Sequence, residues 1–169
     1  LWFDVGGSCC GFGLCGQRYC RKLMSGIFGL FNHDGAPVSD RELAQMASLL
    51  ERRGPDRTGT WRDGVIGLGH TLLGTTPELV FEHQPFRHAE SGCVISADVR
   101  LDNRLELLAS LRIDAERAPR VGDAEIILTA YLTWGEACVE RLLGDFAFAI
   151  WDPRRQLLLC ARDHFGMRP

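Results

Sequence analysis

The chain has no apolar run approaching the roughly 18 residues that a membrane-spanning helix needs, which argues against a membrane-embedded protein. It has no surplus of positive charge either: 19 Lys and Arg stand against 22 Asp and Glu, a net −3. Binding nucleic-acid phosphates takes a basic surplus gathered on one face, so nucleic acid is not expected as a partner. No internal repeat or low-complexity tract occurs after Met24. What is present is ordinary. Of 169 residues, 46% are hydrophobic and 24% charged, enough for one soluble domain with a core and too few for two.

The seven cysteines lack the arrangement that would make them a site. Cys9, Cys10, Cys15 and Cys20 crowd the first 20 residues, and Cys93, Cys138 and Cys160 are scattered through the remainder, where they are expected to be packing residues. The first four have neither the C-x2–4-C spacing of zinc ligands nor a nearby His. A signal peptide would begin basic and continue apolar, whereas Arg18, Arg21 and Lys22 come last and glycines break every apolar stretch. A disulfide knot would suit a secreted chain, but nothing downstream looks secreted. Residues 1–23 are therefore expected to be a disordered leader or upstream extension. The domain is expected to begin at Met24 and run through residue 169, with a net charge of −5.

From Met24 the hydrophobic pattern becomes regular. Ile27, Phe28, Leu30 and Phe31 predict a strand closed by the turn residues Asn32 to Gly35. Leu43, Met46, Ala47 and Leu50 follow Ser39-Asp40 at helical spacing, and Gly54-Pro55 stops the helix. Strands are predicted at Gly59–Trp61, Val65–Gly69 and Cys93–Ala97. A helix is predicted at Asn103–Leu111, with Leu105, Leu108 and Leu111 on one face. A longer helix begins near Asp123, read as its N-cap, with Ile126, Ile127, Ala130, Tyr131 and Trp134 as its buried stripe. Residues 144–152 and 156–162 form a hairpin turning at Pro153-Arg154. Its first strand, Phe146 to Trp151, is apolar on both faces and so covered on both. The expected fold class is α+β, two stacked antiparallel sheets with helices outside.

Five motifs occur in order: Met24-Ser25-Gly26-Ile27-Phe28-Gly29, Arg53-Gly54-Pro55-Asp56, Gly122-Asp123-Ala124-Glu125, Gly144-Asp145-Phe146-Ala147-Phe148-Ala149 and Ala161-Arg162-Asp163-His164-Phe165-Gly166. Together they resemble the N-terminal glutaminase domain of class II glutamine amidotransferases, in the branch of glutamine-hydrolysing asparagine synthetases. The Met-Ser-Gly opening and Thr75-Thr76-Pro77-Glu78 look closest to the asparagine synthetase-like cyclases of lasso-peptide clusters. The resemblance implies an N-terminal-nucleophile hydrolase with a four-layer αββα sandwich. In that family a terminal cysteine attacks the amide of glutamine, with its own α-amine as base. The ammonia passes to an ATP-dependent synthetase domain.

The pocket positions that the resemblance assigns are mostly changed here. Ser25 stands at the nucleophile's place, and a hydroxyl is almost un-ionised at neutral pH where a thiol is a few per cent thiolate. With residues 1–23 attached, its nitrogen is an amide and no base. Leu72 takes the place of the arginine that grips the substrate's carboxylate, leaving no fork of donors. Asp98 and Val99 take the place of the Asn-Gly oxyanion hole, and an ionised Asp98 would repel the developing charge. A protonated Asp98 could donate, which requires a strongly raised pKa. Asp123 matches the aspartate that binds the substrate's amino group, a role compatible with helix capping. Arg53-Gly54-Pro55-Asp56 reads first as a helix stop and turn.

His70, His83, His88 and His164 lack ligand partners at metal-site spacing, and Gly6-Gly7 and Gly11-x-Gly13 lack the strand-loop-helix setting of a phosphate loop. No pyrophosphate-binding Ser-Gly-Gly motif occurs. No cofactor is therefore expected in this chain, with ATP and Mg2+ belonging to a missing synthetase domain. Two readings follow: a glutaminase half using Ser25, with glutamine as substrate, or a glutaminase fold that has lost its chemistry and supports an attached amide-forming ligase. The combined changes at Ser25, Leu72, Asp98 and Val99 favour the second. The expected partner is the C-terminal synthetase domain, with homodimer formation open, and the expected compartment is the cytoplasm.

Overall fold

The computed structural model describes residues 25–74 and 83–168. The leader at 1–23, Met24, Thr75-Thr76-Pro77-Glu78 and Pro169 lie outside the described residues. Among the described residues, seven strands and three helices follow in the order β1 (Gly26–Phe31), α1 (Asp40–Leu50), β2 (Arg57–Asp63), β3 (Ile66–Leu72), β4 (Phe86–Arg87), β5 (Val94–Leu101), α2 (Arg104–Ser110), α3 (Asp123–Trp134), β6 (Gly144–Asp152) and β7 (Leu157–Arg162). Short 3-10 turns occupy Ala118–Arg120 and Gly135–Arg141. The strands form two antiparallel sheets, ordered β1-β3-β2 and β4-β5-β6-β7.

The alternation of side chains along β3 and β5 builds the layers. In β3, Ile66 and Leu68 point between the sheets, where they meet Val94, Ala149 and Trp151. The intervening Gly67 and Gly69 point toward α1. A Cβ at Gly69 would lie 2.1 Å from the Phe28 ring, so glycine leaves the room that Phe28 fills. Phe28, Val38 and Leu43 then form the outer layer on this sheet. Cys93, just ahead of β5, and Ile95, Ala97 and Leu101 within it face α2 and α3, and β6 adds Phe146, Phe148 and Ile150 to the same core. The result is an αββα sandwich, with β6 buried on both faces as its sequence requires.

Local signals set most boundaries. Ser39 and Glu42 make a reciprocal capping box that starts α1. Three expectations are corrected. Asp123 is the first helical residue of α3 rather than its cap; Gly122 is the N-cap, and no side chain caps it. The buried face of α2 is Leu107 and Leu108, whereas Leu105 is 82% exposed, because the seven-residue helix docks along a different stripe. Cys93 and Cys138 pack in the core, but Cys160 lies exposed on β7. Among the described residues all three are free thiols.

Candidate functional site

The layer between the sheets changes character along its length. At one end it is apolar, at Ile66, Leu68, Val94, Ala149 and Trp151. Midway, Ser96 Oγ donates to the Gly69 carbonyl at 2.8 Å and the buried His70 ring meets the Ala97 carbonyl. Burial holds His70 down to about 4, against the pull of that carbonyl, so it is neutral at physiological pH. At the far end, where β1 begins and β3 ends, lie Ser25, Leu72, Asp98 and two arginines.

Ser25 precedes β1 and is 8% exposed; its Oγ accepts the Leu73 N–H at 3.0 Å. The Arg53-Gly54-Pro55-Asp56 turn wraps the end of β3. The Asp56 N–H donates to the Leu72 carbonyl at 3.0 Å, and the Asp56 carboxylate accepts the Gly74 N–H at 2.8 Å. Gly54 lies against this backbone so closely that a Cβ would sit 2.3 Å from the Thr71 carbonyl carbon. The same turn sets the Arg53 side chain beside Gly26. Leu72 is buried and offers no donor.

Asp98 faces the first sheet, in step with Val94 and Ser96 on the same strand. Val99 points the other way, against the helix-side core, so the two residues read together from the sequence serve opposite faces. Asp98 is 5% exposed, and its Oδ1 pairs with Arg168 Nη1 at 3.1 Å. Burial pushes its carboxyl up to about 6, against the opposing pull of Arg168 and Arg53. Arg53 Nε, Asp98 Oδ2 and Arg168 Nε are buried without hydrogen-bond partners among the described residues. Arg168 was not singled out by the sequence, because nothing local marks a partner 70 positions away.

Asp123 is also engaged. Its Oδ2 accepts the Leu101 N–H at 2.9 Å, and its Oδ1 pairs with Arg104 Nη1. Arg104 Nη2 donates further to the Ala118 and Val121 carbonyls. Both side chains are about four-fifths buried. Of the site residues named from sequence, Ser25, Leu72 and Asp98 gather at one end of the sandwich. Asp123 is held at the start of α3 by Arg104, which no local sequence signal marks. Among the described residues, no group of three or more His, Cys, Asp or Glu side chains could hold a metal ion.

Two antiparallel sheets enclosed by helices, with a polar end where the first strand begins, make the αββα architecture of the N-terminal-nucleophile hydrolase fold. The chain belongs to the glutamine amidotransferase domain family, whose profile matches residues 24–169. It is 33% identical over 149 residues to the glutamine-hydrolyzing asparagine synthetase 3 of Bacillus subtilis, covering 86% of this chain and 24% of that protein. A Mycobacterium tuberculosis protein provisionally named as a glutamine-hydrolyzing asparagine synthetase is 37% identical over 166 residues, covering 92% and 25%. This chain thus spans about a quarter of the length of those relatives. The solved glutamine phosphoribosylpyrophosphate amidotransferase of B. subtilis shares the fold, with a TM-score of 0.63 at 18% identity, over 86% of this chain and 38% of that one. No helix among the described residues is long and apolar enough to cross a membrane.

Proposed function

We propose that this domain is a glutamine amidotransferase domain that no longer hydrolyses glutamine and serves as the N-terminal supporting domain of an asparagine synthetase-like, ATP-dependent amide-forming ligase in the cytoplasm. The Asp98–Arg168 pair carries the reading. Stabilising a tetrahedral oxyanion takes a preorganised donor, and losing one costs about 10²–10³ in rate. Here the corresponding position holds a carboxylate that is already matched to an arginine of the same chain. Leu72 provides nothing to bind a substrate carboxylate, and Asp123 is committed to Arg104 and the Leu101 N–H. Ser25 lacks the thiolate fraction of a cysteine.

In this reading ATP and Mg2+ act on a synthetase domain, and this domain's partner is that second domain; a paired arrangement of subunits is compatible with it. The Met24-Ser25-Gly26 opening and the Thr75–Glu78 segment favour the lasso-peptide cyclase branch, in which the amide joins two parts of a peptide. The test uses the longer natural protein, supplied in turn with glutamine, free ammonia or an internal amine. Product formation independent of glutamine and unchanged in Ser25→Ala is expected. Glutamine-dependent formation that disappears in Ser25→Ala would support the alternative, an active glutaminase half with Ser25 as nucleophile.

A further inference from the structure

The segment that leaves β7 is folded around one buried acid. Asp163 accepts backbone N–H groups from Phe165 at 3.0 Å, Met167 at 3.0 Å, Phe146 at 3.2 Å and Arg168 at 3.3 Å. Burial opposes its charge, but the N–H groups of Met167, Arg168, Phe146 and Phe165 hold its carboxyl below the usual range. Gly166 turns the chain at φ +61°, and its carbonyl accepts Arg162 Nη2 at 2.7 Å. This tight turn has one conspicuous product: it delivers Arg168, with its side chain 19% exposed, onto Asp98.

An arginine this buried is costly unless it meets a counter-charge, and the same holds for Asp98. The pair therefore bears on the ionisation of Asp98. A carboxylate only accepts hydrogen bonds, whereas a protonated carboxyl carries a donor. Of the other elements, the turn after α1 supplies Arg53, β3 supplies the neutral His70 against the adjacent Ala97 carbonyl, and β6 places uncharged Ala147 across the ladder. Arg162 of β7 is drawn away to the Gly166 carbonyl.

We propose that Arg168 is a positioning residue for the Ser25 pocket: delivered by the Asp163 turn, it keeps Asp98 an acceptor-only anion and so shuts the pocket to an amide carbonyl. The proposal deepens the reading of the pocket as inactive and rests on it. Remove Arg168, and Asp98 loses the counter-charge that favours its ionised form.

The test compares wild-type full chain with Arg168→Gln, Arg168→Lys, Asp98→Asn and the Asp98→Asn/Arg168→Gln double variant. The Asp98 side-chain carboxyl carbon, identified by its loss in Asp98→Asn, is followed by NMR against pH. Wild type should inflect near about 6. Arg168→Gln should move the inflection up by about one unit or more, and Arg168→Lys should return it toward the wild-type value. In thermal unfolding each single neutralising variant should lower Tm by roughly 5 °C or more, and the double variant by clearly less than their sum. An inflection unmoved by Arg168→Gln, even with a lower Tm, would overturn the proposal. Should Arg168→Gln fail to fold, a folded double variant supports the pairing and an unfolded one refutes it. Glutamine hydrolysis by the wild type would instead sink the inactive reading, a result distinguishable from an unmoved inflection.

Discussion

The two ends of the layer between the sheets obey different rules. At the apolar end, Ile66, Leu68, Val94, Ala149 and Trp151 exclude water and hold the sheets together through burial alone. At the Ser25 end, a few residues further along the sheets, Asp98, Arg53 and Arg168 leave three buried polar atoms without partners among the described residues. Such a cluster adds little stability, because desolvation offsets the attraction within it. The apolar end therefore fixes the sandwich, and the charged end is carried by it. The two ends teach that a family fold can persist while its pocket changes character, since the elements that stabilise one do not supply the chemistry of the other.

Trp151→Ala separates the ends most forcefully. It opens a large cavity at the apolar end and should cost about 3–5 kcal/mol in urea unfolding. A cost below 1 kcal/mol would show that the sheets are held elsewhere. Arg104→Ala, which strips Asp123 of its partner near the charged end, should cost less, about 1–3 kcal/mol; a neutral outcome would break the view that Asp123 depends on Arg104.

The dependence of stability on pH sharpens the comparison further. Asp98 titrates at about 6 in the folded chain against 3.8 ordinarily, so the folded state holds the extra proton and stability falls as pH rises through that window. His70 titrates at about 4 against 6.5 ordinarily, so the unfolded state takes the extra proton and stability rises with pH across its window. Between pH 5 and 6 the two slopes oppose each other, each approaching about 1.4 kcal/mol per pH unit at full occupancy. Denaturant titrations should show Asp98→Asn gaining stability, relative to wild type, as pH rises over that range, and His70→Gln losing it. Parallel slopes in both variants would contradict the assignment. The smallest effect belongs to Ser25→Ala, which removes the acceptor for the Leu73 N–H and should cost about 1 kcal/mol, measured the same way.

Much of this architecture was legible in the sequence, for reasons that stay local. The Ser39 cap, the 3.6-residue rhythm of α1 and the doubly apolar β6 each announce their element within a dozen residues. β5 was harder: its second half runs through Asp98-Val99-Arg100, whose polar residues hide a strand that continues to Leu101. Asp123 looked like a cap because an acid before a helix often is one, yet its carboxylate is drawn to Leu101 and Arg104 instead. The pocket was legible only as positions. That Asp98 meets Arg168, and that Asp163 accepts the Arg168 N–H, are matters of tertiary geometry that no spacing encodes.

Whether this pocket hydrolyses glutamine is decided by a single assay. Protein whose chain begins at Ser25, with its α-amine free, is incubated with glutamine and the released glutamate is measured beside Ser25→Ala. Equal release from both, at the level of the buffer, is expected. Sustained turnover by the serine protein that is absent from Ser25→Ala would contradict it.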